Sequence, residues 1–220
     1  MPLFLINNQL IIVGNEMLDN IDVFNSYFKS STFDVTEEDG LIHVTGNVRN
    51  KSIKTFQEFP VKFGKILGNF DCNLCGLTSL VGAPTRVMMG SFCVNNNQLT
   101  SLIGSPEEVD LWFSFNGNRV SNLEGGPKKV GSFSCCDNPL TSLQGLPEIT
   151  GKLVITLSTD LPILRLVNVN FGIDFRGDLS RNLEIERIFE NVYDIKPRRQ
   201  AIIACQKALI DAGYEGNARL

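Results

Sequence analysis

The sequence predicts an α+β protein built around a solenoid of short parallel strands, with a small α/β cap before it and helices after it. Between residues 70 and 147 the chain repeats one pattern four times, at intervals of 20 to 22 residues. Such a period is typical of solenoids, whose repeats bury their apolar side chains by stacking on one another. On both sides the pattern fades, as it does where terminal repeats become caps. We therefore expect about four to five coils.

Each repeat begins at a phenylalanine, which is followed seven and ten positions later by aliphatic residues. The four phenylalanines are Phe70, Phe92, Phe113 and Phe133. A glycine and a proline follow at fixed positions, and the four prolines are 22, 21 and 20 residues apart: Pro84, Pro106, Pro127 and Pro147. The first three repeats differ in length only between an aliphatic residue after the proline and the next phenylalanine, so we expect a surface loop there.

This pattern resembles the leucine-rich repeat, whose core is L-x-x-L-x-L-x-x-N/C-x-L. Each phenylalanine and the residue two positions later match the L-x-L pair, and the N/C position holds Cys75, Asn97, Asn118 and Asn138. The repeat length resembles the short bacterial class, and LTSL followed by x-Gly-x-Pro resembles repeats of large tailed bacteriophages. The resemblance implies a right-handed solenoid with a short parallel sheet. We expect the asparagines to form a ladder that satisfies backbone groups of the turns.

Residues 1–46 form the predicted α/β cap. Apolar runs on either side of Asn7-Asn8-Gln9 predict a β-hairpin over 3–13, and apolar residues at helical spacing predict a helix over 17–28. A second hairpin is expected between the runs 33–35 and 41–44, which flank an acidic turn. Its last strand is expected to start the solenoid sheet.

Residues 47–175 form the predicted solenoid, and residues 176–220 the C-terminal helical cap or tail. Weaker repeats are expected at 47–60, 153–164 and 166–175. Apolar spacing predicts one helix from Leu183 to Val192 and another from Pro197 to Gly213, since proline suits a first helical turn and glycine a helix end. The sequence leaves open whether this region is a cap or docks a partner.

Composition and charge exclude several classes of function. The net charge of −4 and the pI near 5.1 argue against nucleic-acid binding, which usually needs a basic face. No stretch approaches the 18 or more apolar residues of a membrane span, so we expect no membrane association. The first 14 residues lack the basic start of a signal peptide. We therefore expect a cytoplasmic protein, in the host cell if it is viral, with its six cysteines as free thiols.

The Cys72-x-x-Cys75 motif raises the question of metal or redox chemistry. The repeat explains each cysteine separately, because Cys72 occupies an inward-facing position and Cys75 the asparagine position. A zinc site needs further ligands, and the only histidine, His43, lies outside the clear repeats. No nucleotide-binding glycine motif occurs in a suitable context. We expect no metal, no cofactor and no enzymatic activity.

Trp112 is the most informative single residue. It precedes Phe113 and should point outward, where the equivalent positions hold Asn69, Ser91 and Ser132. It either packs against a cap or insertion, or anchors an interface, where tryptophan is enriched. The predicted concave row around it is polar and nearly uncharged and consists of Asp71, Asn73, Cys93, Asn95, Ser114, Asn116, Ser134 and Cys136.

These observations predict a non-enzymatic protein-binding module that acts through its concave face. The resemblance to phage repeats implies a phage or bacterial protein that binds a host macromolecule, with inhibition of a host or defence enzyme as one consequence. Two alternatives remain open. The C-terminal helices would mediate assembly into a homo-oligomer, or a pocket between solenoid and tail would sequester a small ligand such as a nucleotide.

Overall fold

The computed structural model describes residues 4–6, 9–11, 19–51, 54–167 and 169–220. Its N-terminal elements are two antiparallel hairpins with a short helix between them. Their bounds are β1 Phe4–Ile6, β2 Gln9–Ile11, α1 Asn20–Tyr27, β3 Phe28–Glu38 and β4 Leu41–Asn50. The helix begins after Asp19, whose carboxylate accepts a hydrogen bond from the Asp22 N–H at 2.8 Å. The outer bounds predicted at residues 3, 12–13 and 17–18 lie outside the described residues.

The centre of the chain is a parallel β-solenoid, as the repeat pattern predicts, and it has about six coils. In several coils a short interruption divides the strand into two parts. The strands are β5 Phe63–Leu67, β6 Phe70–Asp71, β7 Arg86–Met88, β8 Phe92–Cys93, β9 Glu108–Ser114, β10 Lys129–Ser134, β11 Glu148–Ile149, β12 Lys152–Thr156 and β13 Gly172–Arg176. They pair in parallel, and β4 forms the first coil.

The coil count exceeds the expected four to five because the last coils lack the signature residues. Leu153 pairs with Phe133, and Ile173 pairs in turn with Leu153. Aliphatic residues thus take the phenylalanine position at this end. Strand pairing therefore identifies these last coils, although their sequences lack the repeat motif.

A stack of phenylalanine rings runs through the core. Phe70, Phe92, Phe113 and Phe133 are fully buried, and neighbouring ring centroids are 5.3, 5.3 and 5.5 Å apart with nearly parallel planes. Strand pairing places each ring in register with the next. Residues at this position face inward because side chains alternate along a strand. The stack therefore fixes both the spacing and the register of the four central coils.

Beside the ring stack runs a row of asparagines, which we call the inner ladder: Asn97 and Asn118, which are buried, and Asn138, which is half-buried. The Asn118 Oδ1 accepts a hydrogen bond from the Leu99 N–H at 3.0 Å in the preceding coil. Its Nδ2 donates to the carbonyl oxygens of Val94 and Phe115 at 3.0 and 2.8 Å. Asn97 and Asn138 make equivalent contacts. One side chain therefore joins two coils and satisfies turn groups that have no strand partner.

The C-terminal region consists of a 3-10 turn, Leu164–Leu166, and two helices, α2 Leu179–Val192 and α3 Arg198–Asp211. Helix α2 begins four residues earlier than the apolar spacing predicts because Asp178 caps it, accepting a hydrogen bond from the Arg181 N–H at 3.1 Å. Among the described residues no helix is long and apolar enough to cross a membrane.

The last residues are packed tightly against the solenoid. Asn217 is fully buried, and its Nδ2 donates to the carbonyl oxygens of Ser158 and Leu161 at 3.0 and 2.8 Å. A Cβ atom on Gly216 would lie 2.2 Å from the Thr159 carbonyl oxygen, so only glycine fits there. The C-terminal segment therefore packs against the last coils and covers part of them.

Candidate protein-binding surface

The row predicted to face a partner lies together on the outer face of the sheet, but much of its bonding capacity is used within the protein. The Asn95 Oδ1 accepts hydrogen bonds from the Ser114 hydroxyl and the Asn116 N–H, both at 2.7 Å. The Asn116 Oδ1 likewise accepts from the Ser134 hydroxyl at 2.9 Å and the Cys136 N–H at 2.7 Å. We call Asn73, Asn95 and Asn116 the outer ladder.

The outer ladder continues into the first clear repeat, where the Asn73 Oδ1 accepts a hydrogen bond from the Asn95 N–H at 2.6 Å. Ser114 and Ser134 beside it are only 7% exposed. Asp71 is half-buried and lies 3.6 Å from Arg49 in an ion pair. The row is therefore a hydrogen-bonded network that joins coils and uses the side-chain acceptors of Asn73, Asn95 and Asn116 within the protein.

The thiols in this region are held in their protonated form. Burial, with a further contribution from the Asp71 carboxylate, raises the pKa of the half-buried Cys93 to about 11. Burial also raises the pKa of Cys136, although a hydrogen bond with Thr156 opposes this. The thiolate is the nucleophilic form of cysteine, so both residues are poor nucleophiles at neutral pH.

The remaining candidates for chemistry are structural residues. Cys72 and Cys75 are fully buried, and burial raises the pKa of Cys72. No group of three histidine, cysteine or acidic residues in the described parts of the chain has a metal-binding arrangement. The Nδ1 of His43 accepts a hydrogen bond from the Lys65 N–H at 3.1 Å, and its ring lies against Gly64, where a Cβ would meet it at 2.3 Å.

A third row runs where the strands are interrupted, and Trp112 belongs to it. We call it the bulge row: Asn47, Asn69, Ser91, Trp112 and Ser132. In this row the Asn47 Oδ1 accepts from the Asn69 N–H at 2.8 Å, and the Asn69 Oδ1 accepts from the Ser91 N–H at 2.9 Å. The Ser91 Oγ then accepts from the Trp112 N–H at 3.3 Å.

Trp112 interrupts this chain of acceptors. Its indole group only donates hydrogen bonds, so it cannot accept one from the next coil as Asn69 and Ser91 do. After it the pattern resumes, because the Ser132 Oγ accepts from the Lys152 N–H at 3.1 Å. Trp112 therefore stands at a position where its neighbours accept a hydrogen bond from the next coil and its own side chain cannot. Its side chain is 38% exposed.

Other exposed apolar residues lie in the corresponding segment before the phenylalanine, in the coil of Trp112 and in the two preceding coils. Leu67, Met89 and Leu111 are 37%, 76% and 50% exposed, and together with Trp112 they form what we call the bulge patch. Leu67 pairs with Met88 across β5 and β7, and the Leu111 N–H donates to the Gly90 carbonyl oxygen at 3.1 Å. The patch therefore spans three consecutive coils.

Close packing of the backbone holds these coils together under the patch. A Cβ atom on Gly90 would lie only 2.0 Å from the Gly68 carbonyl oxygen, so this approach requires glycine. The Asp110 carboxylate accepts a hydrogen bond from the Met89 N–H at 2.7 Å and holds the backbone that exposes Met89. The backbone beneath these apolar side chains is therefore closely packed and hydrogen-bonded.

Charged side chains border the bulge patch on the first half of the strands. Register places Lys65, Arg86, Glu108 and Lys129 in one row across four coils. Arg86 forms an ion pair with Glu108, and Lys129 lies 3.6 Å from Glu148. An apolar centre beside a charged rim is the usual composition of a protein interface.

Sequence reasoning located Trp112 but missed Leu67, Met89 and Leu111. The available signal was the segment of variable length before each phenylalanine, since these residues all lie in it. Their apolar character resembles that of core residues, and only the structure shows their exposure. The chain matches no family model, and searches of curated proteins and of solved structures return no match.

Proposed function

We propose that this protein is a non-enzymatic binding module that recognises a protein partner through the bulge patch, with Trp112 as the main anchor. One observation carries the proposal. Trp112 is exposed at a position where its neighbours accept hydrogen bonds between coils, a task that the indole group cannot perform. Tryptophan is the residue type most enriched among those that dominate binding energy.

The surroundings of Trp112 support a protein as the partner. Met89 and Leu111 add flexible and branched apolar surface, and methionine adapts well to partners of differing shape. The charged row beside the patch favours one orientation of the partner and discourages others. The raised pKa values of the Cys93 and Cys136 thiols and the structural role of His43 favour binding over catalysis.

The source and identity of the partner are a further part of the proposal. The resemblance to short bacterial and phage repeats supports a host protein in the cytoplasm, and six free thiols suit a reducing compartment. A module that covers the surface of a host or defence enzyme would inhibit it by blocking access. The partner would bury the bulge patch, since large exposed apolar patches mark interaction sites.

The proposal is tested by affinity capture with chemical crosslinking from bacterial lysate, using wild type, Trp112→Ala and Ile103→Ala. Ile103 is 66% exposed and lies in a turn outside the bulge patch, which makes it a matched control. We expect the same partner with wild type and Ile103→Ala, and at least tenfold less of it with Trp112→Ala. Equal recovery with a folded Trp112→Ala variant would remove Trp112 from the binding surface.

A further inference from the structure

The C-terminal end of the solenoid is only partly covered. A groove of about 520 Å³ lies between the last strand, β13, and helix α2. Its apolar lining includes Phe171, Ile173 and Phe189. Ile173 has the same register as Leu153, which is fully buried, yet Ile173 is only half-buried. The groove is thus an opening where a further coil would cover the core.

The edge of the sheet beside this groove is also open. Among the described residues β13 pairs with β12 and with no other strand. The Gly172 N–H donates to Gly151, and the Arg176 carbonyl accepts from Leu157, so these alternate residues bond toward β12. In a parallel ladder the intervening residues direct their backbone groups to the opposite side. Ile173 and Phe175 therefore direct their N–H and C=O groups toward the open edge, where another strand can pair.

Helix α2 and the turn after it give the groove an acidic side. Glu186 and Glu190 line it from α2, where a spacing of four residues places them on one side of the helix, and Asp194 lines it from the turn two residues past the helix end. No described lysine or arginine forms an ion pair with any of the three. The acidic side therefore presents uncompensated negative charge next to apolar surface.

We propose that this groove binds an extended, basic segment of a partner protein, in which apolar side chains are flanked by lysine or arginine. The apolar side chains would cover Phe171 and Ile173 as a further coil would, and the cations would pair with the carboxylates of α2. The backbone of the segment would add to the edge of β13, a common mode of peptide recognition. A groove of this size lies within the range of about 300–1,000 Å³ for ligand sites.

Charge complementarity selects this occupant over a second copy of the chain. Two copies paired through β13 would bring two sets of Glu186, Glu190 and Asp194 together, and like charges at an interface disfavour association. A basic segment instead gains from pairing with these carboxylates. This site is separate from the bulge patch, and neither proposal depends on the other.

The test uses the full chain and two synthetic peptides of about ten residues with the same apolar centre. One peptide has lysines at both ends and the other has glutamates. Titration calorimetry should give saturable binding of the lysine peptide and at least tenfold weaker binding of the glutamate peptide. Hydrogen exchange at the Ile173 and Phe175 amides should slow when the lysine peptide binds, which simple charge attraction would not cause.

A charge-reversed pair of variants separates the groove from general electrostatics. Glu186→Lys combined with Glu190→Lys should lower affinity for the lysine peptide at least tenfold. The control combines Glu38→Lys with Glu58→Lys, two exposed positions in the N-terminal half that change the net charge equally. It should leave affinity within about twofold, since distant exposed charges are screened. Equal loss with both variants, or no loss with either, overturns the proposal.

Trp112 is the only tryptophan, so its fluorescence distinguishes the two surfaces. Binding in the groove should leave Trp112 emission unchanged. A shift in emission that persists in the Glu186→Lys, Glu190→Lys variant would place the peptide on the bulge patch and overturn the groove assignment. Failure of the peptide to bind would likewise overturn the groove proposal and leave the Trp112 capture experiment unaffected.

Discussion

The inner ladder and the bulge row perform the same structural task with different regularity. In the inner ladder each of three successive coils carries an asparagine, and each asparagine bonds to the coil before it. In the bulge row the acceptors are asparagine or serine until Trp112, where the series is broken. Both rows repeat at the same period, but only the inner one has buried members, Asn97 and Asn118.

This difference shows at which positions the repeat requires one residue type and at which positions the residue type can vary. A buried amide that loses its partners leaves unsatisfied backbone groups, so the three coils of the inner ladder all keep asparagine and only the first clear repeat has another residue, Cys75. At the exposed bulge row water can take the place of a missing acceptor. A residue there is free to serve binding, and three graded substitutions test this distinction.

The largest loss of stability is expected for Asn118→Ala. The change removes the acceptor of the Leu99 N–H and the donor to the Val94 and Phe115 carbonyl oxygens, all of which are buried. We expect a decrease of about 3 kcal/mol in the free energy of unfolding. Urea denaturation followed by circular dichroism measures it. A decrease below about 1 kcal/mol would show that the ladder is not a main source of stability.

A smaller loss is expected for Asn95→Ala in the outer ladder. Its Oδ1 accepts hydrogen bonds from Ser114 and Asn116, but the side chain is half-buried and water can replace it. We expect a decrease of about 1.5 kcal/mol, measured in the same urea titration. A decrease as large as that of Asn118→Ala would contradict the distinction between buried and half-buried ladders.

The smallest loss is expected for Trp112→Ser, which gives the bulge row the residue type found at Ser91 and Ser132. The new hydroxyl offers an acceptor, while some apolar contact is lost, so we expect a change below about 1 kcal/mol. Capture of the partner should nevertheless fail. Strong destabilisation by this substitution would show instead that Trp112 supports the fold.

Much of the fold follows from the sequence because phenylalanine, asparagine and glycine recur at fixed positions with separate physical tasks. Phe92 and Phe113 stack, and Asn97 and Asn118 bond across coils. The last coil was harder to place because Ile173 carries no such signature, and β13 becomes evident only through pairing with β12. Periodicity identifies a coil only where its neighbours share the residues.

The candidate surface was less predictable than the fold. Alternation along a strand correctly placed Asn95 and Asn116 on the outer face, but it could not show that their amides bond to the next coil. Nor could it distinguish exposed Met89 from a core methionine. These properties depend on contacts between coils about 20 residues apart, which a local pattern does not contain.

The interruption in the strands also bears on how such a protein changes over time. Two to four residues separate the inward aliphatic side chain from the ring in each central coil, for example Val109 from Phe113. The aliphatic residue and the phenylalanine keep their partners in the adjacent coils whatever the length of chain between them. Insertions at this point therefore extend into solvent. New recognition loops can therefore arise there by small insertions, while the parts that keep the chain folded evolve under separate selection.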